Sequence, residues 1–212
     1  MKEVRVSETR ARTLLSKRIE GDSWFHSNHS MNIYRGCQFA CAYCDGMSEY
    51  YHVDNYMDHI RVKVNAPDIL RRELEQIWPT QRNKTLFDYT DRSQIDQRKP
   101  IIGISGGVSD SYQQAEKSQK VTREVLKVIA EKRLPVFILT KSDLVLRDID
   151  LLKEINENAF ANVCFSIAFS DNHQKSLLEP GSPSILARFE ALKALRREGI
   201  HGGVMGMPIV PF

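Results

Sequence analysis

The chain is expected to be an α/β protein, a partial, open barrel of the TIM type with parallel strands inside and helices outside. Strand–loop–helix units repeat along its second half, and repeats of that kind call for a parallel sheet with right-handed crossovers. Five strand candidates can be counted, at 31–36, 101–104, 135–139, 163–168 and 201–210. A closed eightfold barrel takes about 250 residues, and this chain has 212.

Residues 1–30 are polar and weakly periodic, and are expected to form a lead-in segment that wraps the domain or ends as a mobile terminus. Met31-Asn-Ile-Tyr-Arg-Gly36 is short and runs as a strand into a cysteine-rich loop. Ile60-Arg-Val-Lys-Val64 alternates apolar and polar residues, the pattern of a half-exposed edge strand. Asn65 and Pro67 then open a helix that carries Leu70, Leu74 and Ile77 on one face, and Pro79 closes it. Residues 80–100 are polar and aperiodic and are expected as a surface insertion.

From there the rhythm is regular. Ile101–Ile104 is a buried strand ending in Ser105-Gly-Gly107, and the helix after it turns Val121, Val125, Val128 and Ile129 inward. Val136–Leu139 is the next strand, Thr140–Asp143 its loop, and Val145, Ile149 and Leu152 mark a helix. Val163–Ala168 follows as a strand. Ser182-Pro183 is expected to cap a helix whose apolar face holds Leu186, Phe189, Leu192 and Leu195, with Gly199 as its stop. The last strand candidate has no helix after it, which leads to the expectation that a C-terminal part is missing.

Composition narrows the class. Apolar residues make up 42% and charged residues 27% of the chain, as in an ordinary globular protein. A net charge of +3 gives no support to nucleic acid as a partner, and the pairs Arg71-Arg72, Lys132-Arg133 and Arg196-Arg197 are scattered rather than aligned in a stripe. No apolar run approaches the roughly 20 residues of a membrane helix, and the N-terminus lacks a signal-peptide core, so a cytoplasmic location is expected. Three of the four cysteines fall within eight positions, which points to metal in a reducing compartment; Cys164 stands alone on an apolar strand and reads as a small buried side chain.

The chemistry is concentrated in Gly36-Cys37-Gln-Phe-Ala-Cys41-Ala-Tyr-Cys44, a C-x3-C-x2-C spacing with no fourth cysteine nearby. Structural zinc and closed iron–sulfur clusters both want four protein ligands. Three thiolates on one loop can hold three irons of a [4Fe–4S] cube and leave the fourth open to a ligand. Zinc with His52 or His59 as a fourth ligand is the competing reading.

With Tyr43 just before the third cysteine, this spacing resembles the radical S-adenosylmethionine (SAM) superfamily, whose cluster cleaves SAM reductively to a 5′-deoxyadenosyl radical that abstracts hydrogen from a substrate. The resemblance runs from Asn32 to Phe212 and is nearest to the spore photoproduct lyase group. It is carried by residues 32–37, 43–51, 107–116, 139–142, 165–167, 179–183 and 208–211, taken in order. It implies a radical SAM core over 31–212, with a [4Fe–4S] cluster on Cys37, Cys41 and Cys44 and with SAM as cofactor. It further implies Ser109 and Asp110 at the SAM amino group, Lys141 near its carboxylate or ribose, Ser166 at the ribose and Tyr43 near the adenine. A flavodoxin or ferredoxin is the implied electron donor.

Two positions depart from the lyase pattern. Gly107 stands where the lyases carry a hydrogen-donating cysteine, and Asp45 where a tyrosine follows the third cluster cysteine. The expected function is therefore a radical SAM enzyme with an unidentified substrate and unknown further catalytic residues. A non-catalytic iron–sulfur or zinc domain, and a DNA photoproduct lyase, are the alternatives. Tyr50, Tyr51, Tyr56 and the 80–100 insertion are candidates for substrate contact.

Overall fold

The computed structural model describes residues 4–17, 27–79, 99–104 and 108–209. Five parallel strands form one wall: β3 (His29–Met31), β6 (Ile102–Ile104), β7 (Val136–Thr140), β8 (Ala161–Ser166) and β9 (His201–Met205). They stand side by side in chain order, with β2 (Leu15–Lys17) antiparallel on the outer flank of β3. A sheet wound in one direction without reversal is a barrel wall rather than a doubly wound sheet. Among the described residues, β2 and β9 are its two edges and the barrel is open.

One face of the wall's β6, β7 and β8 is fully covered, while on β8 the other face is half-open at Asn162 and Cys164. Ile102, Ile104, Val136, Ile138, Val163 and Phe165 are all buried. Against them pack the inward stripes of α3 (Val121–Glu131), α4 (Ile149–Asn158) and α6 (Ile185–Arg197), through residues such as Val125, Ile129, Leu152, Ile155 and Leu195. The helix α1 (Ala66–Ile77) opens with proline in its first turn and buries Ile69, Leu70 and Leu74. Its outer face is joined to α3 by Arg71–Glu131 (3.0 Å) and Lys132–Glu75, so two of the basic pairs bind carboxylates of neighbouring helices.

Several expectations are corrected. The 31–36 strand is two pieces: β3 ends at Met31, and β4 (Tyr34–Arg35) crosses into a second sheet. In that sheet β5 (His59–Lys63) lies between β1 (Arg5–Thr9) and β4. The expected edge strand is thus its central one. Ile60 and Val62 are buried as the alternation requires, but β1 pairs along its other side, from a segment expected only as a lead-in. A partner more than fifty residues away leaves no trace in local alternation.

Strand β8 begins two residues earlier than expected, and β9 ends at Met205. Two short helices, α2 (Glu116–Gln119) and α5 (Asn172–Leu178), were not anticipated; the Asp171 carboxylate caps α5 by accepting from the N–H groups of His173 (3.1 Å) and Gln174 (3.2 Å). The cap of α6 is Ser184, not Ser182. The helix is also rotated from its expected setting: Ile185, Arg188, Ala191 and Leu195 are buried, while Leu186 is 65% and Phe189 46% exposed. Most of the 80–100 insertion, and the 105–107 turn with Gly107, lie outside the described residues.

Candidate functional site

A cavity of about 420 Å³ opens at the carboxyl ends of the wall strands, where parallel α/β folds bind ligands. Cys37, Cys41, Cys44, Tyr43, Ser109, Asp110, Lys141 and Ser166 all line it. Reasoning from sequence missed Phe39, Leu139, Thr140, Met207 and Pro208, which complete the lining together with Asp45 and Tyr56.

The cysteine loop is shaped by its backbone. Gly36 has φ +85°, and a side chain there would bring Cβ within 2.7 Å of the Tyr56 carbonyl and 2.8 Å of the His59 carbonyl. Only glycine suits that turn and that approach together. The next N–H, of Cys37, donates to the Tyr56 carbonyl (3.0 Å), and that of Cys44 to the Cys41 carbonyl (3.1 Å). Cys37 and Cys41 pack with Phe39 and Tyr56 into a small apolar cluster of their own.

Two segments from elsewhere clamp the loop. On one side, Gln113 accepts the Gln38 N–H (2.8 Å) and donates to the Gly36 carbonyl (3.1 Å), while the Gln38 side chain accepts the Ala115 N–H (2.6 Å). On the other, the Gly181 N–H donates to the Phe39 carbonyl (3.1 Å) and the Ala42 N–H to the Leu178 carbonyl (2.8 Å). A Cβ on Gly181 would lie 2.0 Å from the Gln38 carbonyl oxygen. The short stretches at 113–116 and 179–183, far apart in sequence, thus touch the same loop.

Burial pushes the Cys41 thiol up to about 11, against the pull of the Lys141 cation. It raises Cys37 further, with the Asp110 charge adding to the effect. The Tyr56 hydroxyl lies 3.1 Å from Cys44 Sγ. A cation or a metal supplied to this pocket would favour the thiolates that burial disfavours. Among the described residues, no three His, Cys, Asp or Glu side chains are grouped so as to hold one metal ion. Neither histidine proposed as a fourth ligand lines the cavity: His52 is exposed, and His59 Nε2 sits 2.7 Å from the Ser7 hydroxyl on β1. Cys164 is half-buried on β8 and is not part of the lining.

The opposite wall is rich in acceptors. Asp110 is buried and ties two loops together, accepting from the Tyr112 N–H, the Thr140 hydroxyl and the Lys141 N–H, each at 2.8 Å. A carboxylate has about four acceptor positions, so three donors leave room for one more. Burial raises its pKa while those donors pull the other way; an arriving cation would relieve that cost. The Ser109 hydroxyl donates to the Tyr34 carbonyl (2.8 Å), and that of Ser166 to the Met207 carbonyl (3.0 Å), leaving both oxygens as acceptors.

Lys141 and Tyr43 meet over a buried glutamate. The Lys141 ammonium is 5.7 Å from the Tyr43 ring centroid and 3.9 Å from Glu179 Oε1, to which the Tyr43 hydroxyl donates. Arg188 donates to the second oxygen of Glu179. Neither Glu179 nor Arg188 stands out in the sequence as a site residue; the hints are that Glu179 opens the 179–183 stretch of the resemblance and that an arginine interrupts an apolar helix face. Of the aromatic candidates, Tyr56 lines the cavity, Tyr51 donates to Asp45 at its rim (3.0 Å), and Tyr50 is 81% exposed.

Comparisons with known proteins bear on the family and the fold. The family model of the radical SAM superfamily matches residues 31–212. An uncharacterized protein of Methanocaldococcus jannaschii, MJ0683, is 36% identical over 187 residues, covering 87% of this chain and 61% of that protein. Uncharacterized protein Rv2578c of Mycobacterium tuberculosis is 28% identical over 188 residues, 86% of this chain and 50% of that protein. The chain therefore spans between half and about three-fifths of these relatives. Among solved structures, spore photoproduct lyase complexed with dinucleoside spore photoproduct superposes with a TM-score of 0.68 at 18% identity, covering 98% of this chain and 52% of the lyase. A cysteine-to-alanine mutant of spore photoproduct lyase gives 0.64 at 19% identity, covering 96% and 51%. Over most of its length, through its cysteine loop and the cavity beside it, the chain belongs to the radical SAM superfamily.

Proposed function

We propose that this chain is the core of a radical SAM enzyme in which Cys37, Cys41 and Cys44 hold a [4Fe–4S] cluster and the adjoining cavity takes SAM. The observation that carries the reading is the lining itself: three thiols from one loop, no fourth thiol or imidazole among the lining residues, and a wall of acceptors beside a cation. When bound, the reduced cluster supplies the electron that splits SAM and so generates a 5′-deoxyadenosyl radical.

The protein's own part is to bind and orient. Asp110 and Ser109 present acceptors to a donor-only ammonium, which suits the amino group of SAM. Lys141 offers a positive charge to its carboxylate or ribose, and Ser166 an acceptor to a ribose hydroxyl. Tyr43, packed 6.1 Å from the Phe169 ring, provides an aromatic face for the adenine. Burial of the loop keeps water away from the reacting groups. The electron comes from a low-potential one-electron donor such as a flavodoxin or ferredoxin.

The substrate stays unassigned. A photoproduct lyase is the weaker reading, because Gly107 and Asp45 replace the residues that its hydrogen relay would need. Anaerobic reconstitution tests the proposal. The expected result is about four irons per chain and dithionite-dependent conversion of SAM to methionine and 5′-deoxyadenosine. Fully loaded, reduced protein that leaves SAM intact would overturn it.

A further inference from the structure

We infer that Glu179 is a positioning residue of this cavity: held by Arg188, it sets Tyr43 and Lys141 in the orientation that receives SAM, an inference resting on the reading above. Glu179 and Arg188 are almost wholly buried, at 0% and 1% exposure. Each Glu179 oxygen has a separate task. Oε1 accepts the Tyr43 hydroxyl and faces the Lys141 ammonium, whereas Oε2 accepts from Arg188 and from the Ser182 hydroxyl (3.1 Å). The other arm of Arg188 donates to the Ser166 carbonyl (2.8 Å). One ion pair therefore joins three walls of the cavity: the cysteine loop, the end of β7 and the end of β8.

Filling space does not account for it. A buried ion pair contributes little net stability, and apolar side chains of similar volume often do as well or better. What apolar groups cannot do is aim a hydroxyl and an ammonium. Lys141 has a long, flexible side chain, and fixing its head between a carboxylate and an aromatic face removes freedom before the ligand arrives. Such preorganisation is what a binding constellation needs. Outer residues that orient metal ligands change metal affinity or activity by about 10- to 100-fold when removed, and an effect at the lower end of that range is expected here for SAM.

The test uses the reconstituted, iron-loaded chain and measures SAM affinity by anaerobic equilibrium dialysis, separately from turnover. Glu179→Gln keeps the shape and removes the charge. The dissociation constant is expected to rise by about tenfold or more at unchanged iron content, with KM raised more than kcat is lowered. Tyr43→Phe removes only the hydroxyl and is expected to weaken binding by about threefold. In the double variant the two effects should fall short of their product, because they share one interaction. Wild-type affinity in iron-loaded Glu179→Gln, or full multiplicativity in the double variant, would overturn the inference. If Glu179→Gln fails to fold or load iron, Tyr43→Phe decides, and wild-type affinity in that variant would equally sink the positioning role. Loaded wild-type protein that binds no SAM would instead bring down the underlying reading.

Discussion

Around the cysteine loop, charged and polar groups are buried and matched, whereas along α6 and β9 apolar groups lie open. Glu179, Arg188 and Asp110 each find partners inside the protein, and Gly181 sits so close to the Gln38 carbonyl that a methyl group cannot fit. On the flank, Leu186, Phe189 and Val204 are 65%, 46% and 46% exposed, and a Cβ on Gly203 would meet nothing within 4 Å. On β9 the open side is one face only, since a Cβ on the neighbouring Gly202 would lie 2.4 Å from the Val163 carbonyl oxygen. The contrast separates residues that shape the cavity from residues that only continue the wall.

The sharpest break of this contrast is at the thiols. Replacing Cys37, Cys41 or Cys44 by alanine should abolish assembly of the cluster and with it SAM cleavage, read as iron per chain and 5′-deoxyadenosine formed under dithionite. Next comes Arg188→Ala, which leaves the buried Glu179 carboxylate with only the Lys141 ammonium at 3.9 Å and should cost about 3–5 kcal/mol, measured by urea unfolding. Gly181→Ala should cost about 1–3 kcal/mol by overpacking and lower iron uptake as well, because the strain falls on the Gln38–Phe39 backbone. The flank supplies the small effects. Leu186→Ser on the exposed side of α6 should stay within about 0.5 kcal/mol, whereas Leu195→Ala on the buried side should cost about 2–5 kcal/mol. Gly203→Ala should be close to neutral. A larger cost at Leu186 than at Leu195 would mean that the helix faces the other way.

How much could be read beforehand differs between the wall and the site. Strands β6, β7 and β8 were legible because each is a short apolar run followed by helical periodicity, and both periods are local; β3 was not, since His29–Met31 falls almost wholly in the stretch expected as a lead-in. The rotation of α6 was not, since Leu186 and Phe189 are as apolar as the residues that are buried; what turns the helix is an arginine answering a carboxylate nine residues before it. The second sheet was hidden for a similar reason: Arg5–Thr9 has a partner only because His59–Lys63 lies beside it in space. In the site, the cysteines declared themselves through spacing. Asp110, Lys141 and Ser166 came from resemblance; Glu179 opens the 179–183 stretch of that resemblance, but its role came from neither, because its partners at 43, 141 and 188 are scattered along the chain.

Spacing and periodicity along the chain were enough to specify a one-way parallel wall and a three-thiol loop, because both depend on residues a few positions apart. Folding alone settled which buried charges answer one another, which side of α6 faces inward and which distant glycine lies against the loop. Those outcomes depend on the cost of isolating a charge or crowding a backbone, and that cost exists only once remote segments have been brought into contact.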